Sequence, residues 1–384
     1  MRVLFVNQGR AAPGAALGLL RVQQAVEGGM PNGADVDATF ATLPPHTLGQ
    51  RVALRRVPGV GHRDFWTFRW HVVRGWSARR LISACLRREG ADVVHVTTDQ
   101  ISLLLAGLER EAPYVLNVDI TTYDWVRLLR RLPPDAPMPT DLRPLWSMER
   151  RALRRAPLCI AWTDAAAAGI RRLAPDANVT VLYPGIDVQL FRPRSAPRRP
   201  GPMRVLFVGG RWKDKGGPEL VEALRPYLGR SIELHVLTDA QVSSSNGVIP
   251  HVGKPGSPTV AALFADADVF ALPTFADGAP FAVAEALATG LPIVATDIAS
   301  MSQMIGGDCG ILVKPGDVTG VRTAVLELLA DDVRRQRMGA AGRARAELAF
   351  NAARNTPKLL ELLRGVAEAA SRDRRDGRAA SRSR

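Results

Sequence analysis

The chain has 384 residues, 46% hydrophobic and 23% charged, the composition of a globular protein with apolar material for two domain cores. Its three cysteines, Cys85, Cys159 and Cys309, stand far apart, which argues against a disulfide framework or a zinc knuckle. The net charge is +14. No apolar run of about 18 residues is present, so a spanning helix is not expected. The opening Met1-Arg-Val-Leu-Phe-Val reads as a strand and lacks the basic and apolar regions of a secretory signal. A reduced cytoplasmic protein is the expectation, with the inner face of the membrane as an alternative place of work.

Taken in chain order, apolar strands are expected at 1–6, 35–41, 92–97, 114–119, 158–162 and 179–182. Helical stretches at 15–27, 77–88 and 143–155 lie between them. A Pro/Arg-rich segment, 192–202, precedes a second copy of the opening hexapeptide, Met203-Arg-Val-Leu-Phe-Val. Strands near 204–208, 232–237, 248–252, 268–272, 292–295 and 311–313 then alternate with helices near 217–227, 258–265, 281–289 and 319–329. Such alternation implies parallel sheets covered by helices on both faces. The repeat predicts two doubly wound α/β domains, 1–191 and 203–355, joined by 192–202 and facing each other across a cleft. A C-terminal helix near 356–370 is expected to return to the first domain, followed by a disordered basic tail, 371–384.

The charge is uneven. Residues 1–191 carry +7, the linker +4, residues 203–370 −1 and the tail +4, nearly all of the excess as arginine. A coding bias toward arginine accounts for this as well as an anionic partner does. No zinc-finger spacing or aromatic ribonucleoprotein motif accompanies it, so nucleic acid is not an expected partner. Residues 55–80 interleave arginines with Trp66, Trp70 and other aromatics. Core packing of a helix is one reading; contact with an anionic, membrane-borne acceptor is the other.

Two stretches carry the chemistry. Gly209-Gly-Arg-Trp-Lys-Asp-Lys-Gly-Gly217 follows a strand and precedes a helix, where glycines admit a phosphate and a helix N-terminus favours anions. Arg211 and Lys215 are placed to supply cationic hydrogen bonds there. Neither a GxxxxGK[ST] loop nor a GxGxxG fingerprint occurs, which disfavours ATP and nicotinamide enzymes. The second stretch runs from Leu272 to Asp297 and sets Asp277 before a helix and Glu285 within it. On spacing alone Glu285 reads as a solvent-facing helical residue. A carboxylate among Phe281, Val283, Ala286 and Leu287 is otherwise costly unless paired or turned to a cleft.

This second stretch resembles the donor-site motif of the family 4 glycosyltransferases, retaining enzymes of the GT-B fold. Their two acids separated by seven residues correspond to Asp277 and Glu285, followed by Ala286-Leu-Ala-Thr-Gly-Leu-Pro-Ile-Val-Ala. The Gly210–Gly216 turn, Tyr183-Pro-Gly-Ile-Asp187 with Phe191-Arg-Pro193, Glu149-Arg150 leading to Thr163, and Asp92-Val-Val-His95 resemble further motifs in the family's order. The resemblance implies that Glu285 binds the ribose of a nucleotide-diphosphate sugar. Arg211 and Lys215 hold the diphosphate, and Asp277 meets the sugar. Gly210, Gly278, Ala279, Pro280 and Phe281 line the donor site, with Gly14, His95 and Asp119 on the acceptor side. No metal or other cofactor is implied, so Asp35-Val-Asp37 and Asp266-Ala-Asp268 are read as structural. The implied partners are a nucleotide sugar, a sugar or lipid-linked glycan acceptor, and an anionic membrane surface. Asp277 is shorter than the family's usual Glu, and Ala279-Pro280 replaces its Phe-Gly. Rival functions are a nucleotide-sugar epimerase or hydrolase on the same fold, and a weakly catalytic carbohydrate- or membrane-binding protein.

Overall fold

The computed structural model describes residues 1–8, 36–55, 66–97, 99–132, 142–195, 198 and 200–382. The chain divides into two compact units, one of Met1–Arg127, Pro133–Pro184 and Arg354–Arg384, the other of Leu128–Leu132 and Gly185–Ala353.

The first unit holds six parallel strands: β1 (Arg2–Asn7), β2 (Asp37–Thr42), β3 (Val93–Thr97), β4 (Tyr114–Val118), β5 (Leu158–Ala161) and β6 (Val179–Val181). Their order is β2-β1-β3-β4-β5-β6. The helices of this half are α1 (Leu48–Ala53), α2 (Trp66–Arg88), α3 (Thr122–Leu129), α4 (Arg143–Arg155) and α5 (Asp164–Leu173). The pleat sends alternate residues of each strand into two cores. Leu4, Val6, Val94, Val96 and Leu116 pack with Ala78 and Ile82 of α2 and with Ala152 and Leu153 of α4. Val3, Phe5, Val93, Val115 and Ile160 pack with Leu359, Leu360 and Leu363 of the last helix. Burial on both faces explains why these strands are continuous apolar runs rather than alternating ones.

The second unit repeats the plan with β7 (Met203–Val208), β8 (Ile232–Leu237), β9 (Val248–His251), β10 (Val269–Leu272), β11 (Ile293–Thr296) and β12 (Gly310–Val313), in the order β12-β11-β10-β7-β8-β9. Its helices are α6 (Gly217–Leu224), α7 (Pro258–Asp266), α8 (Phe281–Ala288), α9 (Met301–Ile305), α10 (Val318–Ala330) and α11 (Asp332–Ala349). The two copies of the hexapeptide occupy the same place. β1 lies between β2 and β3, and β7 between β8 and β10. In each sheet the chain first runs outward to one side, then returns to the other side of its opening strand.

Several boundaries differ from the sequence expectation. The chain passes between units at Pro184–Gly185, earlier than 191, and back at Ala353–Arg354. Gly185 takes φ +88°, and a Cβ there would lie 2.7 Å from the Ala352 backbone, so outgoing and returning chain touch at this glycine. Ile186 N–H donates to the Phe350 carbonyl, and Ala352 N–H to that of Ile186. Asp187 accepts from the backbone of Gln189 and Leu190, which makes the Tyr183–Pro193 motif a structural turn. The last helix, α12, runs from Ala352 to Arg382 where disorder was expected from 371. Alanine and arginine are strong helix formers, and their propensity prevails over the polar composition there. The helix expected at 15–27 lies outside the described residues.

Asp268 is buried and accepts from Arg194, Arg198 and the Arg204 backbone, a structural role that fits the reading of Asp266-Ala-Asp268. Asp35 is outside the described residues.

Candidate functional site

Ligands of open parallel sheets bind beyond the carboxyl ends of the strands, where the order reverses. In the second unit that point lies between β7 and β10, and the two sequence motifs form the turns that leave those strands. The Gly209–Gly217 turn leaves β7, and Pro273–Asp277 leaves β10.

The first turn is fixed from both ends. Gly209 N–H donates to Leu237 O at 3.0 Å, and Asp214 O accepts from the Phe275 N–H at 2.8 Å and the Thr274 hydroxyl at 3.2 Å. The Thr274 hydroxyl oxygen accepts from the Ala276 N–H, and Thr296 donates to Thr274 O. Trp212 packs edge-on to Phe207, with centroids 4.9 Å apart, and so anchors the turn to its strand. Arg211 adopts φ +49°, a conformation that costs a non-glycine residue about 1–3 kcal/mol and is concentrated at functional sites. Its guanidinium is half exposed and paired with Asp214 at 3.2 Å. Gly210 passes beside the Asp239 carboxylate.

Lys215 reaches from the β7 turn to the β10 loop. Its Nζ donates to Ala276 O at 2.9 Å and forms an ion pair with Asp277, both side chains 15% exposed. Beyond them, α8 starts at Phe281 with Pro280 at its N-cap, no capping side chain and no acidic residue in its first turn. A helix start carries partial positive charge and suits an anion. Gly278 O accepts from the Ser300 hydroxyl, which holds the loop before α8. Gly278, Ala279, Pro280 and Phe281 are all buried. Glu285 is 5% exposed among the apolar residues of α8. The solvent-facing reading of Glu285 is therefore corrected. The structure brings Arg211, Lys215, Asp277, Gly210 and the α8 start onto neighbouring loops of one unit.

The residues assigned to the acceptor side are less gathered. Gly14 lies outside the described residues. Asp119 is half-buried in the loop after β4. His95 is 1% exposed within β3, its ring 5.2 Å from that of Phe5, and neither ring nitrogen has a hydrogen-bond partner among the described residues. Burial lowers the His95 pKa to about 4, and that of His71 on α2 likewise to about 4. Both imidazoles are neutral when folded, so the unfolded chain takes up the protons first. Stability is then full above the unfolded value of about 6.5 and is lost as pH falls toward 4. Each histidine is expected to remove about 2 kcal/mol between pH 7.5 and 5. His95→Leu should abolish its own share, seen as a smaller shift of the urea midpoint. An unchanged shift would show that His95 does not contribute.

Residues that the sequence reading missed are Thr274, Thr296, Ser300 and Trp212. They hold the loops rather than face a ligand, and hydroxyl residues or a tryptophan near strand ends carry no distinctive spacing.

Structural comparison defines the fold. Sucrose-phosphate synthase from Thermosynechococcus elongatus superposes with a TM-score of 0.73 at 16% identity, covering 96% of this chain and all of its own. HepE from Anabaena gives 0.67 at 17% identity, covering 95% of this chain and all of its own. The fold is GT-B, built from two Rossmann-like domains. The family description Glycosyltransferase Family 4 matches residues 31–190, and Glycosyl transferases group 1 matches residues 202–331. The chain belongs to these glycosyltransferases. The MMP alpha-(1->4)-mannosyltransferase of Mycolicibacterium hassiacum is 30% identical over 53% of this chain and 53% of its own length. A D-inositol 3-phosphate glycosyltransferase of an Arthrobacter species is 30% identical over 40% and 42%. The chain thus spans about half the length of the relatives it matches.

Proposed function

We propose that the protein is a retaining glycosyltransferase that moves a sugar from a nucleotide-diphosphate sugar to a hydroxyl acceptor in glycan, polysaccharide or glycolipid biosynthesis. The observation that carries this is the Lys215–Asp277 pair, set between the ends of β7 and β10 beside the start of α8. As the anomeric C–O bond breaks, negative charge grows on the leaving β-phosphate. Arg211, Lys215 and the α8 N-terminus meet it with positive charge held in place beforehand, the largest common source of catalytic stabilisation. Asp277 keeps the Lys215 ammonium oriented and offers its carboxylate to the donor-sugar hydroxyls. Glu285 accepts hydrogen bonds from the ribose. Two protein cations do the work of a metal, so turnover persists in EDTA. Anabaena HepE, a structural neighbour, is solved with UDP-glucose, which supports a nucleotide-sugar donor. The test is product formation from radiolabelled UDP-, GDP- and ADP-sugars with and without acceptor; hydrolysis or epimerisation alone would identify a rival on the same fold.

The two acids have separable roles. Calorimetry with free nucleoside diphosphate is expected to show that Glu285→Ala weakens binding about tenfold or more, the loss of a charged hydrogen-bond acceptor. Asp277→Ala should bind the nucleotide nearly as wild type and lose transfer. Wild-type nucleotide binding by both variants would refute the Glu285 assignment.

A membrane-borne acceptor is a second reading. α4 buries Leu145, Glu149, Ala152 and Leu153 and exposes Arg143, Arg150, Arg151, Arg154 and Arg155. Trp66 and Trp70, expected as an apolar foothold, are half-buried, and the Trp66 Nε1–H donates to Leu54 O. Trp76, 47% exposed, lies under the Arg80 guanidinium instead. No described helix is long and apolar enough to cross a membrane. Co-sedimentation with anionic liposomes is expected at low salt and should fall steeply as the Debye length shrinks from about 10 Å at 0.1 M to 3 Å at 1 M. Indifference to anionic lipid at low salt would leave a soluble acceptor.

A further inference from the structure

The inward stripe of α2 runs His71, Arg74, Gly75, Ala78, Ile82. Ala78 and Ile82 belong to the apolar core, whereas the preceding turns put a guanidinium and an imidazole on the same face. Arg74 is 3% exposed, and its two terminal nitrogens donate to Gln8 O at 2.8 Å and Pro44 O at 3.1 Å. Gln8 follows β1 and Pro44 follows β2, so this buried cation sits at the carboxyl ends of two neighbouring parallel strands. In such sheets ligands bind beyond the carboxyl ends of the strands, and β1, which leads into Gln8, borders the reversal of order between β1 and β3. No carboxylate pairs with Arg74 among the described residues, and its Nε is buried without a partner. The Gln8 side chain, 1% exposed, has partners at neither Nε2 nor Oε1 among the described residues. His71 is held through Nδ1 to Thr67 O at 2.7 Å, with Nε2 unpartnered.

Arginine stays protonated in proteins, and burying its charge against neutral carbonyls alone is unfavourable. The Nε–H of the planar guanidinium and the two N–H of the amide match an oxyanion. We propose that Arg74 and Gln8 seat an oxyanion carried by the acceptor, so that the acceptor is a phosphorylated or carboxylated sugar or polyol. This rests on the glycosyltransferase reading above and narrows its acceptor class.

The decisive variant is Gln8→Met. The Gln8 side chain makes no hydrogen bond among the described residues, and Arg74 is clamped by the Gln8 backbone, so the substitution removes donors without unclamping the helix. It should leave the melting temperature unchanged or raised in the absence of anions, because a buried unpaired amide is removed. Binding is measured by calorimetry with inorganic phosphate and, separately, acetate, at constant ionic strength. The background is Arg211→Ala/Lys215→Met, so that the donor site does not report. Saturable binding of either anion, weakened about tenfold by Gln8→Met, is the expected result. In the otherwise wild-type enzyme, Gln8→Met should lower kcat/KM for a hexose phosphate or hexuronate by a larger factor than for the neutral hexose. Absence of saturable anion binding, or binding indifferent to Gln8→Met, overturns the proposal. So does Gln8-dependent binding to phosphatidylglycerol vesicles without binding of soluble phosphate or acetate, which would assign the site to a lipid surface. Nucleotide-sugar binding by the wild type, measured alongside, tests the donor reading separately.

Discussion

Lys215→Met is expected to lower kcat by about 100- to 1,000-fold, the cost of removing one donor aimed at charge that develops in the transition state. Methionine keeps the stem that packs in the turn, so the loss is of charge and hydrogen bonds, not of shape. The variant leaves Asp277, 15% exposed, without its cation. A stability loss of about 1–3 kcal/mol should accompany the kinetic defect, as for a largely buried group that loses its partner. The double variant Lys215→Met/Asp277→Asn separates the two effects. It should recover most of the stability and none of the turnover, because the carboxylate no longer needs a partner while the leaving diphosphate still does. Arg211→Gly is the companion test. Glycine accepts φ +49° without strain, so this variant should be as stable as wild type or more so, yet lose turnover on a similar scale. Kinetics of sugar transfer together with urea denaturation read all three. Wild-type kcat in Lys215→Met would remove the ion pair from the chemistry altogether.

Gly216→Ala is expected to destabilise the second unit by at least about 3 kcal/mol, and to shift its melting temperature down by about 10 °C. Gly216 takes φ +77° at the N-cap of α6, and a Cβ there would stand 2.0 Å from the carbonyl oxygen of Pro273. That oxygen belongs to the backbone leaving β10 and has no flexible end to swing aside. Relief requires the turn after β7 and the loop after β10 to move apart, and these are the segments that Lys215 and Asp277 join. Activity should therefore fall together with stability, in contrast to Lys215→Met/Asp277→Asn. A melting temperature within a degree of wild type would mean that the two loops are not packed as described.

Much of the scaffold was legible because it depends on local pattern. Strands buried on both faces must be apolar along their whole length, so β1, β3–β5, β7 and β10 stand out from the sequence. The repeated hexapeptide marked the opening strand of each sheet, and Pro280 and Gly290 framed α8. Short helices such as α1 and α9, and the longer α11 with its even spread of arginine and alanine, lack a sharp apolar stripe and passed unread. The end of α12 shows the opposite failure, where a composition typical of disorder also has high helix propensity.

The site divides along the same line. Residue types and spacing around Gly209–Gly217 and Asp277–Glu285 were enough to name the cations, the two acids and the helix start. They could not say that Lys215 would pair with Asp277, since 62 residues separate the two and only the adjacency of β7 and β10 brings their turns together. Nor could they decide that Glu285 is buried, because an eight-residue helix with little amphipathic contrast presents no face in sequence. The Arg74 cluster is the extreme case. An arginine among many arginines reads as solvated charge until α2 turns it inward against the ends of β1 and β2. Sequence fixes which groups a chain owns and how each segment folds; the crossing of strands out of sequential order decides which of those groups share a site.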